Sequence, residues 1–144
     1  MWGFIFSVVA GTAMSVQGVM NTKLSESVGL YESNAFVQGT AFLLSAVAAL
    51  IMGGGDGGFE HLREVERVHL FGGVVGLVIT ITVMLGIKDL GPLTAVSVIL
   101  AAQLLTAAAI EAFGFLSAEK TEFGWTKCAG IALMIGGILM LRRE

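Results

Sequence analysis

The chain has 144 residues, 56% of them hydrophobic and only 13% charged, where a soluble domain averages about 25% charged. A globule this small leaves much of its surface in water, so the composition excludes an ordinary soluble fold and makes lipid part of the solvent. The formal charge of −3 is small and dispersed, which argues against nucleic acid as a partner. The single cysteine, Cys128, excludes an internal disulfide and a thiol-rich metal site.

A helix crosses the hydrocarbon core with about 20 apolar residues. Five stretches have that character: 2–22, 33–52, 70–87, 93–113 and 123–141. Backbone in lipid satisfies its hydrogen bonds only as helix or closed barrel, and no segment alternates like a barrel strand. The expected fold is therefore an all-α integral membrane protein, a bundle of five transmembrane helices forming a single domain over 1–144.

The first stretch lacks a basic start and is dotted with polar residues, so it reads as a span and not as a signal peptide. Gly11, Ser15, Gly18 and Thr22 form a small-residue stripe on it. Gln17 and Asn21 stand one helical turn apart on a different face. The second span opens with Glu32, carries Gln38 one turn inside, and has its own stripe of Ala35, Gly39, Ala46, Ala49 and Gly53. The connection over 53–69 starts as Gly-Gly-Gly-Asp-Gly-Gly and then becomes amphipathic, with Phe59, Leu62 and Val65 among Glu60, Arg63, Glu64, Glu66 and Arg67. Two structures fit it: a short helix on the membrane surface, or a charged extension of the third span.

Gly72, Gly76 and Thr80 line one side of the third span. A tight turn, Lys88-Asp89-Leu90-Gly91-Pro92, then ends one helix and begins the next. The fourth span places Gln103 and Thr106 on one face and Glu111 in its last turn. On the fifth, Gly130 and Gly137 lie seven apart beside Gly136, a face suited to a dimer contact or to packing within the monomer. Cys128 reads as a small packing residue. Trp2 and Trp125 fall at one predicted interface and Tyr31 at the other, as aromatic belts do.

Polar groups in a membrane span usually face a cavity, a partner or a pathway. Any one of Gln17, Asn21, Gln38 and Gln103 can be explained as a hydrogen bond to a neighbouring helix. As a set, with Thr106, they point to a polar cavity that grips a solute through both donors and acceptors. Glu111 is the carboxylate best placed for proton coupling, although a group so near a helix end can also reach water. No catalytic motif or phosphate-cradling loop is present, so no enzyme activity and no cofactor is expected. His61 and His69, eight residues apart, have no third ligand fixed by spacing, and no metal site is expected.

Five spans put Arg63, Arg67, Lys120 and Lys127 on one side of the membrane and Lys23, Lys88, Arg142 and Arg143 on the other, four against four. Lys and Arg bias normally fixes orientation. A chain without that bias can insert both ways, which permits an antiparallel homodimer; alternatively Arg142 and Arg143 alone hold the C-terminus inside.

Gly11-x5-Gln17-x3-Asn21-x2-Leu24 resembles the first-span signature of the short YdcZ-like family of the drug/metabolite transporter superfamily. Leu90-Gly91-Pro92, Ala102-Gln103-Leu104 and Ile110-Glu111-Ala112-Phe113-Gly114 are similar to that family's fourth span and its exit, and Gly130-x5-Gly136-Gly137 to its last. The chain departs from the family at Ala102, where Gly is frequent, and at Glu111, where Asp is. The resemblance implies a multi-pass protein of the cell inner membrane, similar to one half of a ten-helix transporter built from two inverted repeats. It also implies that Gln17, Asn21 and Gln103 contact a small polar or cationic solute. Related small multidrug exporters couple protons through a first-span Glu, which this chain lacks.

The reading that follows is a small homodimeric transporter working by alternating access. Gln17, Asn21 and Gln103 meet the solute, Gln38 and Thr106 assist, and Gly130, Gly136 and Gly137 sit at the dimer contact. A dual-topology ion or solute channel is the first rival. A non-transporting membrane subunit that pairs with another chain is the second.

Overall fold

The structure is a computed structural model that describes residues 2–53, 59–117 and 124–141. The described residues form six α-helices and two short 3-10 turns, with no strand among them: α1 Trp2–Val28, α2 Leu30–Met52, α3 Arg67–Leu70, α4 Gly72–Leu90, α5 Pro92–Phe113 and α6 Trp125–Leu141. Four of them, α1, α2, α4 and α5, are long and apolar enough to cross a membrane, while α6 is an apolar helix of 17 residues. Residues 54–58, Lys120, Arg142 and Arg143 lie outside the described residues, and with them part of the glycine-rich connection and part of the charge count.

The distribution of side chains is the reverse of a soluble core. Among the most buried residues are Asn21, Thr22, Ser33 and Asn34, while Phe4, Phe36, Phe42, Leu44 and Leu133 are among many large apolar side chains left exposed. Such an outer surface is stable only against hydrocarbon, where apolar exposure costs nothing and polar groups must turn inward.

Two helix junctions are made by a single glycine. Gly29 separates α1 from α2 at φ 104, ψ 154, and Gly91 separates α4 from α5 at φ 77, ψ 161. This is backbone that only glycine adopts without strain. Each one closes the helix before it and opens the helix after it. The Gly29 N–H donates to Ser25 O and its carbonyl accepts from the Ser33 N–H; the Gly91 N–H donates to Ile87 O and its carbonyl accepts from the Ala95 N–H. The residue four beyond each glycine, Ser33 or Ala95, is small and fully packed away. Pro92 at the start of α5 needs no donor and fixes φ for the first turn.

α1 therefore continues well past the apolar stretch, and the polar run 23–32 is mostly helix instead of loop. Lys23 and Glu26 form an exposed i,i+3 ion pair of 2.9 Å on that extension. The described part of the amphipathic connection is two short pieces separate from α4. Glu60–Arg63 is a 3-10 turn, and Arg67–Leu70 is one turn of helix leading into α4. Phe59, Leu62, Val65 and Val68 are all exposed there.

The chain divides into two compact units, residues 1–85 and 86–144. In the first, α1 packs on α2. Contacts from Ser33 to Met84 and from Gln38 to Thr80 show α2 and α4 running in opposite directions. In the second, α5 packs on α6. Gly114 ends α5 in the left-handed conformation, its N–H donating to Ile110 O.

Candidate functional site

The polar residues of the first unit gather on three helices. Ser33, on α2, is fully buried; its hydroxyl donates to the Asn21 main-chain carbonyl on α1 at 3.3 Å and lies 3.8 Å from the Met84 sulfur on α4. Thr22 is also buried and turns its hydroxyl back onto Gly18 O, 2.8 Å away. Asn34 is buried with its side-chain oxygen unpartnered among the described residues. One turn further along α2, the Gln38 amide donates to the Thr80 hydroxyl at 3.4 Å, and Thr80 donates in turn to Gly76 O at 2.9 Å. A Cβ at Gly76 would lie 3.9 Å from the Gln38 nitrogen, an ordinary contact, so this bond does not depend on glycine there.

Gln17 and Asn21 face a different environment. A small cavity of about 50 Å3 lies between α1 and α4, with Gln17, Gly18 and Asn21 on one side and Ile79, Thr80 and Val83 on the other. Room of that order holds ordered water. Along α1 itself, the same two amides end an open groove of about 570 Å3 whose remaining lining is apolar apart from Thr12. Asn21 is only 7% exposed. Among the described residues neither side-chain amide finds a hydrogen-bond partner. Gln17 is itself exposed on α1, and the fully buried side-chain polar atom without a partner among the described residues is Asn34 Oδ1.

The structure thus brings Gln17 and Asn21 to one cavity, with Thr80 on its far side and Gln38 bonded to Thr80. Gln103 and Thr106 are exposed on one face of α5, in the second unit. Glu111, in the last turn of α5, is half-buried and pairs with Lys127 at the start of α6, Nζ to Oε2 3.0 Å. Gly130, Gly136 and Gly137 are exposed on α6, with open space where a Cβ would stand. The small-residue stripes are not continuous contacts within the unit: Gly11 and Gly39 face open space, whereas Gly18 and Thr22 are buried. Gly18 also shares the small cavity with Gln17 and Asn21, so the stripe and the amides meet on one side of α1.

Sequence reasoning missed Ser33, Asn34 and Thr80 as polar partners. The signal for Ser33 lay in its distance from Gly29: four residues past a glycine corner, a side chain must be small and is driven inward. Cys128 is exposed, and no cluster of metal-binding side chains occurs among the described residues.

No curated protein and no solved structure matches the chain significantly. The model of the family described as "Putative inner membrane exporter, YdcZ" matches residues 2–140, nearly the whole length. The chain belongs to this family and is a multi-pass protein of the inner membrane.

Proposed function

We propose that the protein is a membrane transporter, not an enzyme, and that it moves a small solute by alternating access as a homodimer. The observation that carries this is the Gln17–Asn21 pair, two amides without partners among the described residues that end a groove and border a cavity. Polar groups held unsatisfied in an apolar helix are a ready site for a ligand that supplies their hydrogen bonds. Membership of a family described as exporters agrees with it.

In this reading the apolar α6 completes a five-span protomer, comparable to one half of a ten-helix carrier. An antiparallel partner supplies the other half, and the even division of Lys and Arg allows both orientations. Gln103 and Thr106 add to the solute site, and Gln38 holds Thr80 in place beside it. Gly130, Gly136 and Gly137 allow close approach of a second α6.

The test is transport. A melting-temperature screen of the purified protein over cations, amines and metabolites identifies a ligand, because binding to the native state raises apparent stability. Counterflow of that ligand in proteoliposomes then separates a carrier from a channel, which neither exchanges nor saturates. Gln17→Ala and Gln103→Ala are each expected to abolish or strongly reduce counterflow. Intact transport in both would refute the site. Tags at both termini decide orientation, and a single orientation in every molecule removes the antiparallel dimer.

A further inference from the structure

We infer that the small cavity between α1 and α4 is a water-binding site that ties the two helices together, with Gln17 and Asn21 on one wall and the Thr80 hydroxyl on the other. This goes beyond the transport reading and does not depend on it.

A primary amide carries two N–H donors and two acceptor sites. In a membrane span such groups are satisfied by a neighbouring helix or by ordered water. The Asn21 side chain is 7% exposed and makes no hydrogen bond to a described residue, although its main-chain carbonyl accepts from Ser33. Gln17, one turn earlier, is exposed and makes none either. Across the cavity, the Thr80 hydroxyl donates to Gly76 O at 2.9 Å and accepts from the Gln38 amide at 3.4 Å. A hydroxyl has two lone pairs, so Thr80 keeps one acceptor site.

The three helices are joined unevenly. Ser33 bonds α2 to α1, and Gln38 bonds α2 to α4, both directly. No side-chain hydrogen bond runs between α1 and α4 among the described residues; their polar groups meet across the cavity instead.

Size selects the ligand. The cavity measures about 50 Å3. One water takes up about 30 Å3 in the liquid, whereas sites that enclose an organic ligand run to roughly 300–1,000 Å3. The cavity therefore takes one water, or two in close contact, and by itself no organic solute.

Hydrogen-bonding chemistry separates water from the other occupants of that size. A metal cation uses oxygens alone and leaves the N–H groups of both amides without acceptors. No carboxylate lines the cavity, so a cation there also sheds its hydration without a counter-charge. Cavities that stay dry are apolar, and this one is lined by two amides and a hydroxyl. Water accepts from an amide N–H and donates to an amide oxygen or to the free lone pair of Thr80. Three polar side chains match the two to four partners that a buried water needs.

The experiment is nuclear magnetic resonance on the full, 15N-labelled chain in detergent micelles. The chain has two asparagines and three glutamines, so only five side-chain amides appear, and Asn21→Leu identifies the Asn21 signal by its loss. The readout is cross-relaxation between the Asn21 amide protons and water, recorded in the rotating frame, where its sign differs from that of proton exchange. Wild type is expected to show it. Val83→Phe, which fills the cavity from α4, is expected to abolish it; Val83→Leu does the same with a smaller side chain should Val83→Phe fail to fold.

No cross-relaxation at Asn21 in the wild type overturns the inference. A signal that persists in both Val83 variants comes from water elsewhere and overturns it too. A saturable shift of the Asn21 amide on adding sodium chloride, with none from choline chloride, would assign the cavity to a cation instead. Counterflow of a screened ligand decides transport independently of each of these outcomes.

Discussion

The Ser33 hydroxyl of α2 lies 3.3 Å from the Asn21 main-chain carbonyl of α1, a contact between residues twelve apart that is fully shut off from solvent. Through it, the backbone that carries the Asn21 side chain into the groove is tied to the neighbouring helix. The site residue is fixed at its base and open at its tip.

Ser33→Ala is expected to cost about 0.6 kcal/mol and at most about 1.7 kcal/mol, the average and the maximum for interhelical side-chain bonds in a membrane protein. Ser33→Leu is expected to cost more, because a site with no free volume answers a larger side chain with displaced helices. Unfolding in mixed detergent measures both. A Ser33→Leu protein as stable as wild type would show that the contact is not closed.

Gly29→Ala and Gly91→Ala should each destabilise by about 1–3 kcal/mol, since both positions use backbone open only to glycine. At Gly29 the new methyl group would also run into the Glu32 carboxylate, a flexible group that can swing away, so the backbone cost is the larger part. Gly39→Ala is the matched control: it sits inside α2 with nothing near, and helix propensity favours alanine by up to about 1 kcal/mol. Thermal melts of the three variants, run side by side, check the ordering.

Gln38 and Thr80 are predicted to be coupled. A double-mutant cycle with Gln38→Ala and Thr80→Val should give an interaction energy of about 0.6 kcal/mol, in line with a long hydrogen bond between membrane helices. Strict additivity would mean that the pair is not formed in the folded protein.

Glu111 and Lys127 give a prediction that separates structure from coupling. Both side chains are 47% exposed, so the pair itself is worth at most about 1 kcal/mol and less in high salt. If Glu111 serves only this pair, Glu111→Gln and Lys127→Ala will have equal and small effects on transport. If it also couples protons, Glu111→Gln alone will remove the response to an imposed pH gradient while counterflow persists.

Much of this arrangement could be read from residue order, and the remainder has definable causes. Apolar length revealed the long helices, and the i,i+4 spacing of Gln17 and Asn21 put both amides on one face before any coordinates. The α1–α2 corner was hidden because Lys23, Ser25, Glu26 and Ser27 look like loop residues. In fact they are helix that extends beyond the apolar stretch, where polar side chains suit the surroundings. Ser33 and Asn34 read as the polar start of a span, yet the corner turns them inward. Gln103 and Thr106 are grouped with Gln17 by chemistry and, for Gln103, by family resemblance. Spacing along a sequence cannot join residues on helices so far apart in the chain.

The two glycine corners also bear on how the protein can be handled. Each has its N–H and carbonyl already committed to the helices on either side. An inserted epitope or protease site would undo both caps at once, and insertions are tolerated where backbone is exposed and unbonded. Neither corner offers a loop to cut or to lengthen. Reporters of membrane orientation belong instead at the exposed Val65–Glu66 link, between the 3-10 turn and α3.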